Sequence, residues 1–257
     1  EKEVIPYKDF DTFDYHAYYD ILRGGVLPTT SALNPEDYIA YFEPEFKKGN
    51  DIFYCHFSAA MSGSFNAMRL ALQELKEKYP ERKFYEIDTK GITIMSYIVT
   101  KKVAEMFNAG EKIENILKWA ETEVDKYACY FFADDLKFFA KSGRVSGIAG
   151  FMGGLLGIRP ILTMGVDGKM ASCGKVKGRV NAINALVDKV AELGIDVKNQ
   201  TLVLGHADAL ELIEELKQAL EARFGKGLKY EVIPVNPTAG AHCGPNTLGI
   251  GFYAKHR

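Results

Sequence analysis

Two spacings of apolar residues alternate along the chain, one suited to helices and one to strands. In residues 12–23, Phe13, Tyr15, Tyr18, Tyr19 and Leu22 recur at helical spacing, and "RGGVLPTTSALNPEDY" then breaks the pattern with two glycines and two prolines. This predicts a helix leading into a polar loop. Asn34 or Ser31 can cap the next helix, in which Pro35 takes an early position and Glu36 and Asp37 favour the positive end of the dipole, running to about Phe46. The aromatic run from Ile52 to Phe57 fits a buried strand that ends at Ser58. From Ser64 an amphipathic helix is predicted, with Phe65, Met68, Leu70, Leu72 and Leu75 facing inward and a stop at Tyr79 and Pro80. "KFYEID" reads as a strand, followed by a helix closed by Gly110 and a second helix with Trp119 on its apolar side. Strand and helix in alternation predict a parallel sheet covered by helices. Ligands gather at the carboxyl ends of such strands, which is where residues 58–64 fall.

After about Lys126 the texture changes. "YACYFFADDL" is strand-like, "KFFAKSGRVSGIAGFMGGLLGI" is helical and then Gly-rich, and "RPILTMGVDGKMASCGKVKG" reads as two strands about a Val-Asp-Gly turn. Helices over about 179–193 and 209–224 alternate with the strands "QTLVLGHA" and "KYEVIPV", and the loop "PTAGAHCGPNTLG" leads to a last strand, "LGIGFYA". The expected architecture is therefore α/β with two domains. Residues 1–127 form an N-terminal parallel sheet with flanking helices, and residues 128–257 form a C-terminal α+β sheet domain. There is no internal repeat.

Composition narrows the function classes. With 32 Lys and Arg against 34 Asp and Glu, the net charge of -2 offers no field to recruit nucleic acid. Cys55, Cys129, Cys173 and Cys243 are far apart and lack the C-x-x-C spacing of zinc or redox sites, so no metal is expected and a reducing cytoplasm is the simplest home. No apolar run reaches the ~18 residues of a bilayer span, and residues 1–20 lack the features of a signal peptide. Any membrane contact is expected to be transient.

Four stretches could carry chemistry. Thr29, Thr30 and Ser31 stand just ahead of a helix start, where free N–H groups and the dipole favour an anion; they read either as simple capping or as a carboxylate or phosphate site. Ser58, Ser62 and Ser64 surround Gly63 between a strand and a helix, where glycine lets the backbone approach a ligand closely. This second loop is neither a nucleophile elbow nor a Walker motif. Two hydroxyl loops without a paired base describe an anion clamp rather than a catalytic centre. Arg144, presented after Ser142 and Gly143, and the cluster Lys175, Lys177 and Arg179 read as surface charge or as contacts to a phosphate or a partner. In the last loop His242 and Cys243 are adjacent, and consecutive side chains in extended backbone point apart, so they form no dyad. Cys243 reads as packing, whereas His242, flanked by Gly240 and Gly244, can be aimed into a cleft.

Seven stretches in register resemble the DegV family, which includes the fatty-acid-binding (FakB-type) subunits of bacterial fatty acid kinase. They are "PTTSALNP" (28–35), "FSAAMSGSFNA" (57–67), "EIDTKGIT" (86–93), "FFADDLKFFAKSGRVSG" (131–147), "LLGIRPILTMGVDGKM" (155–170), "KVKGR" (175–179) and "GAHCGPNTLGIGFY" (240–253). The resemblance implies a long-chain fatty acid as the ligand, with no further cofactor. Its carboxylate would be held by Thr30, Ser62 and the Gly63 N–H with His242 nearby, and Thr29, Ser31, Ser58 and Ser64 are secondary candidates. It further implies a non-catalytic, lipid-binding subunit that presents the acyl carboxylate to an ATP-binding kinase partner, with Arg144, Lys177 and Arg179 serving the acyl phosphate or the docking surface. The chain departs from the family pattern at Ser142, where many members have glycine, and at Lys177, where arginine is usual. The family's opening strand with an Asp-Ser motif has no counterpart in these residues. A hydrolase using Ser62 or Cys243, or a lipid-responsive regulator without a kinase, is the alternative reading.

Overall fold

The computed structural model describes residues 14–146 and 157–257. The predicted Gly-rich stretch lies largely in residues 147–156, outside the described residues, as does Phe13. The strand predicted at "YACYFF" is β3 (Tyr127–Phe132), buried throughout. Its alternation serves two cores: Ala128, Tyr130 and Phe132 face one, and Cys129 and Phe131 face the other. β3 is the middle of a seven-stranded sheet that also holds β4 (Val145–Ser146), β5 (Ile158–Met164), β6 (Met170–Lys177), β7 (Thr201–His206), β8 (Lys229–Pro234) and β9 (Leu248–Tyr253). The order is β4-β6-β5-β3-β9-β7-β8; β4 pairs with β6, and β8 with β7, in parallel, and the other pairs are antiparallel. A smaller sheet pairs β1 (Ile52–His56) with β2 (Phe84–Asp88) in parallel. The predicted mixed α/β class is what is found.

Helices cover both sheets. α7 (Arg179–Leu193) and α8 (Leu210–Phe224) bury Leu186, Val190, Leu212 and Leu216 against one face of the large sheet. α4 (Thr93–Asn108) lies on the opposite face, and glycine makes its close approach possible. A Cβ on Gly249 would come within 2.8 Å of Ile94 Cδ1, and one on Gly251 within 2.5 Å of Ile98 Cδ1. Hence in "LGIGFY" Leu248, Ile250 and Phe252 point to one core, while Gly249 and Gly251 face α4 and Tyr253 packs against the cluster that holds Val99 and Val103. α1 (Tyr15–Arg23) packs on that face too, through Tyr19 and Leu22. On the small sheet, α2 (Pro35–Lys47) and α3 (Ser64–Lys78) share a core of Tyr38, Phe42, Phe65 and Met68, while α5 (Ile113–Glu123) packs with α4 on Ile87.

Two expectations need correction, and one open choice is resolved. Asn34, not Ser31, caps α2, in a full capping box with Asp37. Leu70 does not face inward and is 61% exposed, because it lies across the helix from the stripe of Phe65, Met68 and Leu75; Ala71 takes the buried position. The stretch expected to be a loop at 237–243 is a helix, α9 (Pro237–Cys243), entered through an Asn236 cap whose side chain accepts from Ala239 N and left through Gly244 at φ 74°. Its Asn-Pro start and Gly end are helix punctuation packed into so few residues that they read as a turn.

Candidate functional site

α9 and α6 (Lys137–Ser142) pack together beside the loop that follows α1. Tyr18 and Tyr19 of α1 donate to the carbonyls of Pro237 and Val235, each at 2.9 Å, and so fix the start of α9. At its end, Gly244 sits against the Phe138 ring, which leaves no room for a Cβ. Held at both ends, α9 turns Cys243 into the core and His242 outward to Thr30, whose hydroxyl shares a 3.1 Å hydrogen bond with His242 Nε2. Lys141 of α6 anchors the same loop by donating to the carbonyls of Leu27 and Pro28. The predicted Thr30 and His242, separated by 212 residues in sequence, are thus brought into contact.

The serine loop joins this assembly from the small sheet. Ser64 is buried; its hydroxyl accepts from Leu33 N at 3.2 Å and bonds the Tyr38 hydroxyl at 2.8 Å, tying the threonine loop to the start of α3. Ser58 is buried and donates to the Gly168 carbonyl at 2.6 Å, stitching the loop to the turn between β5 and β6. Both hydroxyls are therefore occupied in holding the loops together. Ser62 is half-buried and, among the described residues, accepts only from Ser64 N, at 3.1 Å. Gly63 has an ordinary φ of -66°, and a Cβ there would meet nothing within 4 Å. Thr29 and Ser31 are exposed. At the carboxyl ends of β1 and β2, Asp88 accepts from Ala59 N and Lys90 N, and buried His56 bonds Glu86 through Nε2 at 2.9 Å, which holds the Glu86 carboxyl below the usual carboxylate range.

Electrostatics separates the histidine from the thiol. Burial, and then the nearby Arg144 charge, push the His242 imidazole below its ordinary value, favouring the neutral ring. Burial pushes the Cys243 thiol up to about 12, so it carries no thiolate at neutral pH. Cys243 is packing, as its sequence context indicates.

Ala60, Met61, Gly143, Arg144, Val145 and Lys169 line a pocket of about 280 Å³ next to the serine loop. A wider cavity of about 440 Å³ between α4 and α5, floored by Met106, Ala109 and Trp119, contains none of the predicted residues. Lys177 and Arg179 are not brought to Arg144. Val145 pairs with Met170 at one end of β6 and Lys177 stands at the other, roughly 20 Å away, while Arg179 is paired with Glu215 at 2.8 Å. Sequence reasoning missed Lys141 as the anchor of the threonine loop and Lys169 as a pocket wall; the quoted stretches around both contain them, but no local pattern marks their partners, which lie across the fold. Among the described residues no helix is long and apolar enough to cross a membrane.

A small parallel sheet and a large mixed one, with hydroxyl loops and a histidine converging between helix ends, define a mixed α/β protein with a polar site assembled from distant segments. The profile of the family described as "Uncharacterised protein, DegV family" matches residues 6–255, and the chain belongs to the DegV family. A DegV domain-containing protein of Clostridium perfringens is 31% identical over 237 residues, covering 92% of this chain and 81% of that protein. Among solved structures, a DegV-family protein of Ruminococcus gnavus described with vaccenic acid superposes with a TM-score of 0.83 at 21% identity, covering 98% of this chain and 88% of that one. The fatty acid kinase (Fak) B3 protein of Streptococcus pneumoniae, loaded with linoleic acid, gives a TM-score of 0.77 at 19% identity, covering 94% and 84%.

Proposed function

We propose that this protein binds a long-chain fatty acid, with the carboxylate held by Thr30, Ser62 and the Gly63 N–H beside His242, and presents it to an ATP-dependent kinase partner in the cytoplasm. The observation that carries the reading is the Thr30 to His242 contact in a loop anchored from α6, with Ser62 carrying, among the described residues, a single local bond. Fatty acids bound to similarly folded DegV proteins support it. A buried carboxylate is costly unless charge-assisted hydrogen bonds replace its water, whereas each buried CH2 of the tail contributes ~0.8 kcal/mol. The tail then supplies affinity and the loops select the head group. The serine loop belongs to residues 1–127 and His242 to residues 128–257, so the carboxylate would sit where the two proposed domains meet.

A hydrolase is less well supported. Cys243 is a buried protonated thiol, and the described residues place no base on Ser62. Mass spectrometry of ligand extracted from the purified protein is expected to find a long-chain fatty acid, and Thr30→Ala with Ser62→Ala is expected to weaken its binding at least tenfold through two lost hydrogen bonds to a charged group. Protein that arrives empty and ignores added palmitate or oleate sinks the reading.

A further inference from the structure

The serine loop leaves β1 after His56 and enters α3 at Ser64, and one side chain touches both of its ends. The His56 side chain is only 1% exposed. Its Nδ1 faces the Phe57 carbonyl at 2.6 Å, where the loop begins, and its Nε2 faces Glu86 Oε1 at 2.9 Å, on β2. Where the loop ends, the Phe65 ring packs on His56 at 4.3 Å and on Phe57 at 4.8 Å between ring centres. His56, Phe57, Glu86 and Phe65 thus close the base of the loop that carries Ser62 and Gly63.

A carbonyl oxygen and an ionised carboxylate can only accept, so both ring nitrogens must donate, and only the imidazolium has two N–H groups. Turning the ring over would set carbon against both acceptors. Glu86 is ionised at neutral pH, because its bond from His56, and then the charges of His56 and of Arg69 on α3, outweigh its burial. Tyr54 stacks on the His56 ring at 5.4 Å, and aromatic surface favours a cation. Asp88, the register partner of His56 on β2, is taken by Ala59 N and Lys90 N, and Tyr38 of α2 bonds Ser64. His206, also buried, differs: its Nδ1 accepts from Ala209 N, which requires a nitrogen without hydrogen.

A neutral His56 does not fit this arrangement. With hydrogen on Nδ1 alone, the Nε2 lone pair meets the Glu86 carboxylate; with hydrogen on Nε2 alone, the Nδ1 lone pair meets the Phe57 carbonyl. Losing one proton therefore opens the base of the loop on one side or the other.

We propose that His56, held as an imidazolium against Glu86 and the Phe57 carbonyl, is the positioning residue of the serine loop, and that the loop is set for an anion only while the ring keeps both hydrogens. That the anion is a fatty-acid carboxylate rests on the proposed function; the positioning does not.

Nitrogen NMR at neutral pH is expected to show hydrogen on both ring nitrogens of His56. Palmitate affinity and amide exchange at Ser62, Gly63 and Ser64 are then followed as pH rises through the titration of the His56 ring, in the wild type, Glu86→Gln and His56→Ala. Wild-type affinity should fall about tenfold across that titration, the loss of one hydrogen bond to a charged group, and loop exchange should quicken with it. Glu86→Gln should flatten both profiles, because the amide can turn its NH2 to a bare Nε2 while Nδ1 still donates to Phe57. His56→Ala should bind weakly at every pH. His242 does not supply this profile, since burial pushes its imidazole below the ordinary value and its change falls on the acid side. A bare nitrogen on His56 at neutral pH, an affinity or a loop exchange that stays level through the titration, or a Glu86→Gln profile like that of the wild type overturns the proposal. Loop exchange that follows the His56 titration in a protein that ignores palmitate upholds the positioning and overturns the fatty-acid reading.

Discussion

Basic residues mark both ends of β6, and the two ends are built differently. At the Lys177 end the cations project from an exposed strand and the first turn of α7, and Arg179 is already neutralised by Glu215. At the Met170 end Arg144 and Lys169 are fewer in sequence and, among the described residues, in no ion pair, and they stand over a cavity beside the loop that holds buried Ser58 and Ser64. A run of charge along a chain measures little about a site. What distinguishes the Met170 end is that tight packing forces its charges together, through Gly168 on Ser58 and Gly244 on Phe138.

Removing that packing is the largest way to break the comparison. In Gly244→Ala the added methyl meets the Phe138 ring at 2.3 Å from a backbone with φ 74°, and Phe138 is 1% exposed in the core. Strain and overpacking together are expected to cost about 2–4 kcal/mol in urea unfolding, and displacement of α9 should separate His242 from Thr30. A variant as stable as the wild type, with unchanged His242 resonances, would show that α9 is not held in this way.

The legibility of the two ends followed the range of the interactions that build them. Strands such as β3 and β9 are readable because a short run of apolar and aromatic residues is local, and the cap of α2 because Asn34 and Asp37 are three residues apart. Hydroxyl-rich and Gly-flanked contexts point to the two loops and to His242, the resemblance singles out Thr30 and Ser62, and Thr30 and His242 meet. The local reading leaves Lys175, Lys177 and Arg179 open between surface charge and contact to a phosphate or partner, the resemblance assigns Lys177 and Arg179 a role, and neither reading can see that β6 carries them roughly 20 Å from Arg144. Lys141 and Lys169 were passed over for the complementary reason, since the Leu27 carbonyl and the serine loop they meet lie more than a hundred residues away. α9 was missed because seven residues give too few turns for a helical period to show.

A smaller effect sharpens the contrast through His242. Burial and Arg144 lower its folded value below the ordinary ~6.5 of the unfolded chain. Between those two values the unfolded chain binds more protons, so stability rises with pH there; the contribution is complete above about pH 6.5 and is lost as pH falls below it. Buried His206 is shifted the same way and shares this acid-side loss. Replacing His242 by Gln should make the slope of stability against pH shallower just below about pH 6.5. In an NMR titration, Arg144→Ala should move the His242 midpoint up toward the ordinary value, and a midpoint that stays put would show that Arg144 does not face the ring.

The smallest expected effect belongs to the other end of β6. Arg179→Ala removes an exposed pair with Glu215, half of whose surface is open to water on the arginine side, and such pairs contribute about 0–1 kcal/mol. Urea unfolding should shift by no more than about 0.5 kcal/mol, and the His242 midpoint should not move, because many residues of strand separate the two and salt screens exposed charges beyond about 8 Å. A shift of the His242 midpoint in Arg179→Ala as large as that in Arg144→Ala would mean that the two ends of β6 are electrostatically one region, and the distinction between a cluster in sequence and a cluster in space would fail for this fold.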